Sequence, residues 1–171
     1  MPATPAELFA FLDRLGIAHR TVTHPPLFTV EESRALRGRI SGGHTKNLFL
    51  RDKKEAFYLV VAPEDAAIGL NRLHRSLGAT GRFSFGSPQS MKDLLGVVPG
   101  SVTPFAAIND RGGAVAVVLD RALLVHDTLN FHPLVNTMTT SIPRDGLLKF
   151  LAATGHAPRL ESVSEGAATS D

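Results

Sequence analysis

The spacing of apolar residues divides the chain into short strands and amphipathic helices. Over residues 44–50 the run His-Thr-Lys-Asn-Leu-Phe-Leu predicts a strand, with Leu48 and Leu50 on one side and Phe49 on the other. Its end has little polar relief, which suits a strand covered on both faces. Residues 56–62 form a second apolar run, and the polar turn Asp52-Lys53-Lys54 between them predicts a hairpin. Helices are expected where the period lengthens. Thr4-Pro5-Ala6-Glu7 is a capping box with proline at the first helical position, and the stripe Leu8, Phe9, Phe11, Leu12 and Leu15 stops at Gly16. Thr29-Val30-Glu31-Glu32 starts a short helix to about Arg37. Residues 68–77 carry Leu70, Leu73 and Leu77 on one face. Ser87-Pro88 caps a helix that reaches Leu95, with Gly96 just beyond it. Ser141-Ile142-Pro143-Arg144-Asp145 opens a last helix that turns Leu147, Leu148, Phe150 and Leu151 inward.

Weaker patterns fill the gaps. Residues 17–24 predict a strand ended by Pro25-Pro26, and residues 82–85 a shorter one. Residues 105–108 and 114–119 flank a loop of turn formers, Asn109-Asp110-Arg111-Gly112-Gly113, so a second hairpin is expected. Residues 123–125 and 136–140 read as further strands. From about Ala157 the sequence is small and polar, and a frayed tail over 157–171 is expected. Strands and helices alternate irregularly without a repeat or a long linker. The expectation is one α/β domain of the α+β type over residues 1–156, a mixed, curled sheet with helices against it.

Composition narrows the chemistry. With 171 residues and 43% hydrophobic content the chain can build one real core. The absence of cysteine excludes disulfides, thiolate nucleophiles and Cys-based zinc sites. A net charge of +2, from 18 basic and 16 acidic residues, falls short of a protein that grips nucleic acid by its phosphates alone. No apolar run approaches the ~20 residues of a membrane span, and Met1-Pro2-Ala3-Thr4 is unlike a signal peptide, so a cytoplasmic protein is expected. Phosphate-loop, dinucleotide-loop, zinc-helix and serine-elbow motifs are missing. The seven histidines include no pair at i, i+4. Neither a metal nor another cofactor is expected.

What remains is a set of polar residues on apolar or strained segments. Lys46 and Asn47 stand where the first strand leaves the loop Ser41-Gly42-Gly43. Lys46 reads either as a solvent-facing lysine or as a cation for a phosphate or a developing oxyanion. Asn47 reads as a strand-end cap or as a donor beside that cation. His132 precedes Pro133, which favours an extended, displayed imidazole. It is either held by a backbone carbonyl or a neutral ring that orients a substrate group. Gly100, Ser101, Val102, Thr103 and Pro104 form a loop whose backbone groups could bind a small polar ligand, or which is plain punctuation. His24 and His44 flank the centre as wall residues, and His126 reads as core.

Four segments in order carry a resemblance: Phe28-Thr29-Val30-Glu31-Glu32, residues 44–50, Leu95-Gly96-Val97 with Pro99 to Phe105, and Phe131-His132-Pro133-Leu134-Val135-Asn136-Thr137. Together, over roughly residues 4–155, they resemble the YbaK/prolyl-tRNA synthetase-associated domain family, and within it the freestanding deacylases of Ala-tRNA(Pro). The resemblance implies a barrel-like α/β domain acting in trans on mischarged tRNA. It implies tRNA(Pro) carrying a wrong amino acid as partner, with prolyl-tRNA synthetase as a candidate second partner. It maps the family's lysine, asparagine and histidine onto Lys46, Asn47 and His132, and its glycine-to-proline loop onto Gly100, Ser101, Val102, Thr103 and Pro104. Leu27, Val30, Phe49 and Met91 are then candidate walls of the amino-acid pocket. Ser- and Cys-tRNA are the competing substrates, and a binding module without catalysis is the competing class. In this resemblance Asn71 stands where a lysine is expected.

Overall fold

The computed structural model of the chain describes residues 1–26 and 30–165, without the side chains of Val30, Ser33 and Arg37. Five helices, α1 (Pro5–Arg14), α2 (Val30–Arg39), α3 (Leu70–Leu77), α4 (Pro88–Leu95) and α5 (Arg144–Ala153), surround one mixed sheet. Its strands are β1 (Arg20–Thr23), β2 (Gly43–Arg51), β3 (Phe57–Pro63), β4 (Ser84–Phe85), β5 (Val115–Asp120), β6 (Thr128–Phe131), β7 (Met138–Pro143) and β8 (Arg159–Glu161). The spatial order is β1-β7-β6-β2-β3-β5-β8, with β4 added to β2. The sheet is not closed into a barrel; β1 and β8 are its edges.

Alternation along the central strands builds two cores. Phe49, Leu59, Val61, Val117 and Leu119 face one side, where α1, α4 and α5 cover them with Leu8, Leu12, Met91, Leu95, Leu147, Phe150 and Leu151. Leu50, Val60, Ala62 and Val118 face the other, under Leu73 and Leu77 of α3 and Val163. The expected two-sided burial of β2 therefore holds. The capping box at Thr4 and Glu7 forms as read, and Ser87 accepts from the N–H of Ser90 at the start of α4.

Three expectations fail. Residues 104–109 form a 3-10 helix capped by Thr103, not a strand, so the second hairpin does not exist. Phe105, Ala106 and Ala107 are all buried, and a short run buried on every side carries no period to tell strand from helix. Residues 121–125 are likewise a 3-10 helix, capped by the Asp120 side chain. The supposed tail folds back: Arg159, Leu160 and Glu161 pair in parallel with Val118, Leu119 and Asp120, and Val163 is buried.

Candidate active site

β2 changes partners along its length. Gly43 and His44 pair in parallel with Leu129 and Asn130 of β6. From Thr45 to Arg51 the ladder runs antiparallel to β3 on the other side. Beyond His44, β2 and β6 separate, and a cavity of about 180 Å³ occupies this fork. Leu36, His44, Thr45, Asn47, Glu64, Asn130, Phe131, His132 and Thr139 line it.

Asn130 pins the fork. Its amide is buried, donating to the carbonyls of Ser41 at 3.0 Å and Gly43 at 3.2 Å. Its side-chain oxygen accepts from the Ser141 hydroxyl at 2.5 Å, and its carbonyl accepts from Thr45 Oγ1 at 2.9 Å. The loop before β2 is thereby tied to β6 and β7. The loop also needs Gly42, whose φ of +100° lies in the region that suits glycine.

His132 is held just beyond the end of β6. Its Nδ1 donates to the Met138 carbonyl at 2.9 Å, which leaves Nε2 of the neutral ring as an acceptor. Burial pushes its pKa below the ordinary imidazole value; the Met138 carbonyl opposes this, and His24 adds to it. The His24 and His132 rings lie 6.2 Å apart. His24 is fixed by the Pro25 carbonyl and Thr139 Oγ1, each at 2.8 Å. The chain leaves His132 through a tight turn in which the Leu134 N–H bonds the His132 carbonyl at 3.0 Å. Leu134 there adopts φ 73°, a conformation costly for a leucine.

Asn47 and His132 both line this cavity. The side-chain oxygen of Asn47 is buried and has no hydrogen-bond partner among the described residues. Such an atom carries a desolvation cost unless a ligand satisfies it. Lys46 is half-buried and does not line the cavity. It shares a strand face with Leu48 and Leu50, opposite to Asn47, and its ammonium donates to the Ala66 carbonyl.

Other candidates lie elsewhere. Gly100 neighbours Asn136, and Ser101 and Thr103 are buried. Thr103 Oγ1 accepts from the Phe105 N–H at 3.2 Å and so caps a 3-10 helix. Val102 packs on the first core and Pro104 is buried. Phe49 stacks on Phe57 at 5.3 Å, and Met91 sits in the same core; neither lines the cavity. Leu27 and the side chain of Val30 fall outside the described residues. Sequence reasoning missed Thr45, Asn130 and Thr139. The available signal was Asn130, a lone amide between Leu129 and Phe131. Among the described residues no group of three His, Asp or Glu is placed to hold a metal, and no helix is long and apolar enough to cross a membrane.

A second charged region lies at the far end of β2. Arg51, Lys53, Lys54 and Arg82 surround a shallow depression with Asp52, Glu55, Phe83 and Ser84. Asp52 organises it, accepting from the N–H groups of Lys54, Ala56 and Thr80. Arg51 pairs with Glu55 at 3.3 Å.

Comparison with known proteins adds four findings. The family model described as aminoacyl-tRNA editing domain matches residues 24–150. A mouse prolyl-tRNA synthetase associated domain-containing protein is 39% identical over 157 residues, covering 90% of this chain and 92% of the relative. The prolyl-tRNA editing protein ProX of Acetoanaerobium sticklandii is 35% identical over 150 residues, covering 87% of this chain and 91% of the relative. A solved structure described as a candidate trans-editing enzyme for prolyl-tRNA synthetase superposes with a TM-score of 0.71 at 20% identity, over 97% of this chain and 100% of that one. At that identity the likeness speaks for the fold.

Proposed function

The chain belongs to the aminoacyl-tRNA editing domain family, and from that premise we propose that it hydrolyses the ester of mischarged Ala-tRNA(Pro) in trans. The observation that carries this reading is the buried, unpartnered oxygen of Asn47 on a small cavity that His132, its Nδ1 held by the Met138 carbonyl, also lines. An aminoacyl ester is already reactive, so positioning and polarising it is enough. The cavity, about 180 Å³, suits the small α-amino acid end of the substrate. Asn47 Oδ1 accepts from its ammonium, and His132 Nε2 accepts from the attacking water or from the vicinal ribose hydroxyl.

The bond changes are those of ester hydrolysis. The water oxygen adds to the carbonyl carbon, the bond to the ribose oxygen breaks, and that oxygen takes up the proton as free amino acid leaves. The ribose hydroxyl of the substrate orients the water; no protein nucleophile takes part. Lys46 exchanges the Ala66 carbonyl for a phosphate oxygen of the terminal nucleotide, a motion its four-carbon stem permits. The cations Arg51, Lys53, Lys54 and Arg82 then meet the acceptor stem beyond. Size sets specificity: proline is excluded by bulk, whereas one methyl separates alanine from glycine, about 1–3 kcal/mol.

The test is a deacylation panel of Ala-, Ser- and Cys-charged tRNA at one enzyme concentration, run with wild type, Asn47→Ala and Lys46→Ala. Ala-tRNA(Pro) should be cleaved fastest, with both variants impaired by about tenfold or more, a loss of at least ~1.4 kcal/mol of transition-state stabilisation. Faster cleavage of Ser- or Cys-tRNA would reassign the substrate, and no cleavage by wild type would favour a binding module.

A further inference from the structure

We propose that Phe85 is a stacking platform for an unpaired base of the substrate's 3′ strand, an inference that rests on the editing reading of the fork. Phe85 is 60% exposed, and among the described residues it is the only exposed aromatic side chain. The other large exposed apolar residues, Met1, Val22, Val98 and Val125, have no ring. Phe85 follows Ser84, which lines the depression with the exposed cations Arg51, Lys53, Lys54 and Arg82 at the same end of β2. Positive charge for phosphates beside a free aromatic face for bases is the chemistry that binds single-stranded nucleic acid.

The backbone fixes where the ring stands. Phe85 pairs with Leu50, so by strand alternation it belongs to the face of β2 that carries Leu48 and Lys46. Immediately after it, the Gly86 N–H donates to the Phe49 carbonyl at 2.9 Å. The Phe49 ring fills the space a side chain at 86 would need, 2.4 Å from the Cβ position. Phe83, two residues earlier, is anchored edge-on against Tyr58 at 5.0 Å. The segment is thus fastened on both sides of Phe85 while its ring stays out, so little ordering cost remains for a ligand.

The spacing fits the proposed substrate. Four residues separate Lys46 from Leu50, the partner of Phe85, about 13 Å at ~3.3 Å per residue. A few unpaired nucleotides bridge that span, at ~3.4 Å each when stacked. The terminal nucleotide at Lys46 and an earlier unpaired base on Phe85 then leave the first base pairs beside the cations.

Binding of uncharged hairpin RNAs tests this without catalysis. One hairpin carries the unpaired 3′ tail of the tRNA(Pro) acceptor stem; the other has the same stem without a tail. Phe85→Ala should weaken binding of the tailed hairpin by about 5- to 100-fold, Phe85→Trp should restore it, Phe85→Leu should not, and the blunt hairpin should bind all four proteins alike. Equal losses on both hairpins, no loss on the tailed one, or full restoration by leucine would overturn the proposal. If the panel above shows no deacylation while tail-dependent binding still needs an aromatic ring, the editing reading fails and the platform stands.

Discussion

Replacing Asn130 with alanine removes the pin of the fork, and its cost can be worked from the structure. The side chain donates to the carbonyls of Ser41 and Gly43 and accepts from the hydroxyl of Ser141. Three hydrogen bonds at about 1 kcal/mol each give about 3 kcal/mol, and groups left buried without partners add to that, so the expected loss is about 3–5 kcal/mol. For a chain of 171 residues, at about 2–4 °C per kcal/mol, the melting temperature should fall by about 6–20 °C. Denaturant titration and thermal melting measure this directly. Ser141→Ala in the Asn130→Ala background should cost much less than in the wild type, because its partner is already gone; the coupling should reach about 0.5–3 kcal/mol. The deacylation rate, read well below the melting point, should also drop as Asn47 and His132 lose their fixed separation. A stability loss under about 1 kcal/mol, or additive single variants, would refute the claim that Asn130 holds the two strands together.

Three further outcomes are expected. Because burial lowers the pKa of His132, the unfolded chain takes up that proton first; stability should fall as pH drops below ~6.5 and level off below the folded pKa. The urea midpoint of His132→Asn should lack this component, and parallel pH curves for variant and wild type would contradict it. Gly86→Ala drives a Cβ into the Phe49 ring and should cost about 1–3 kcal/mol, with near-ultraviolet dichroism reporting the disturbed Phe49–Phe57 stack. A chain ending at Pro158 loses β8 and the burial of Val163. It should unfold at lower urea, by at least about 2 kcal/mol, and aggregate through the bared edge of β5; an unchanged midpoint would return these residues to the status of a tail.

The sequence displayed those parts of the fold whose determinants are local. The capping box at Thr4, the Ser87 cap with Gly96, and the alternation through Phe49 and Leu50 each act within a few residues. β6 escaped notice because Thr128 and Asn130 break its apolar run, and Asn130 is polar for a contact 87 residues away at Gly43. β8 escaped because Arg159 and Glu161 are charged, and only its pairing with β5 gives it a strand's identity. The same limit governs the site. Asn47 and His132 could be named from their segments, and the fork joins them. That Lys46 turns to the opposite face follows from strand parity, and its bond to Ala66 from a loop no periodicity describes. Phe49 and Met91 were apolar residues near the centre, and three-dimensional packing assigned them to the core.

The partner exchange of β2 also has a kinetic meaning. The fork is walled by residues drawn from positions 36 to 139, and the neighbouring β1–β7 pairing joins Thr21 to Thr140 across 119 residues. Contacts this remote in sequence form after the entropy of closing long loops has been spent, which slows folding and leaves such sites to the end. The β2–β3 hairpin can assemble early, yet it carries only one wall. A chain cut short before β7, or halted while β6 is still unpaired, therefore lacks the wall of the fork that carries Asn130, His132 and Thr139. The cavity is complete only with the last long-range strand.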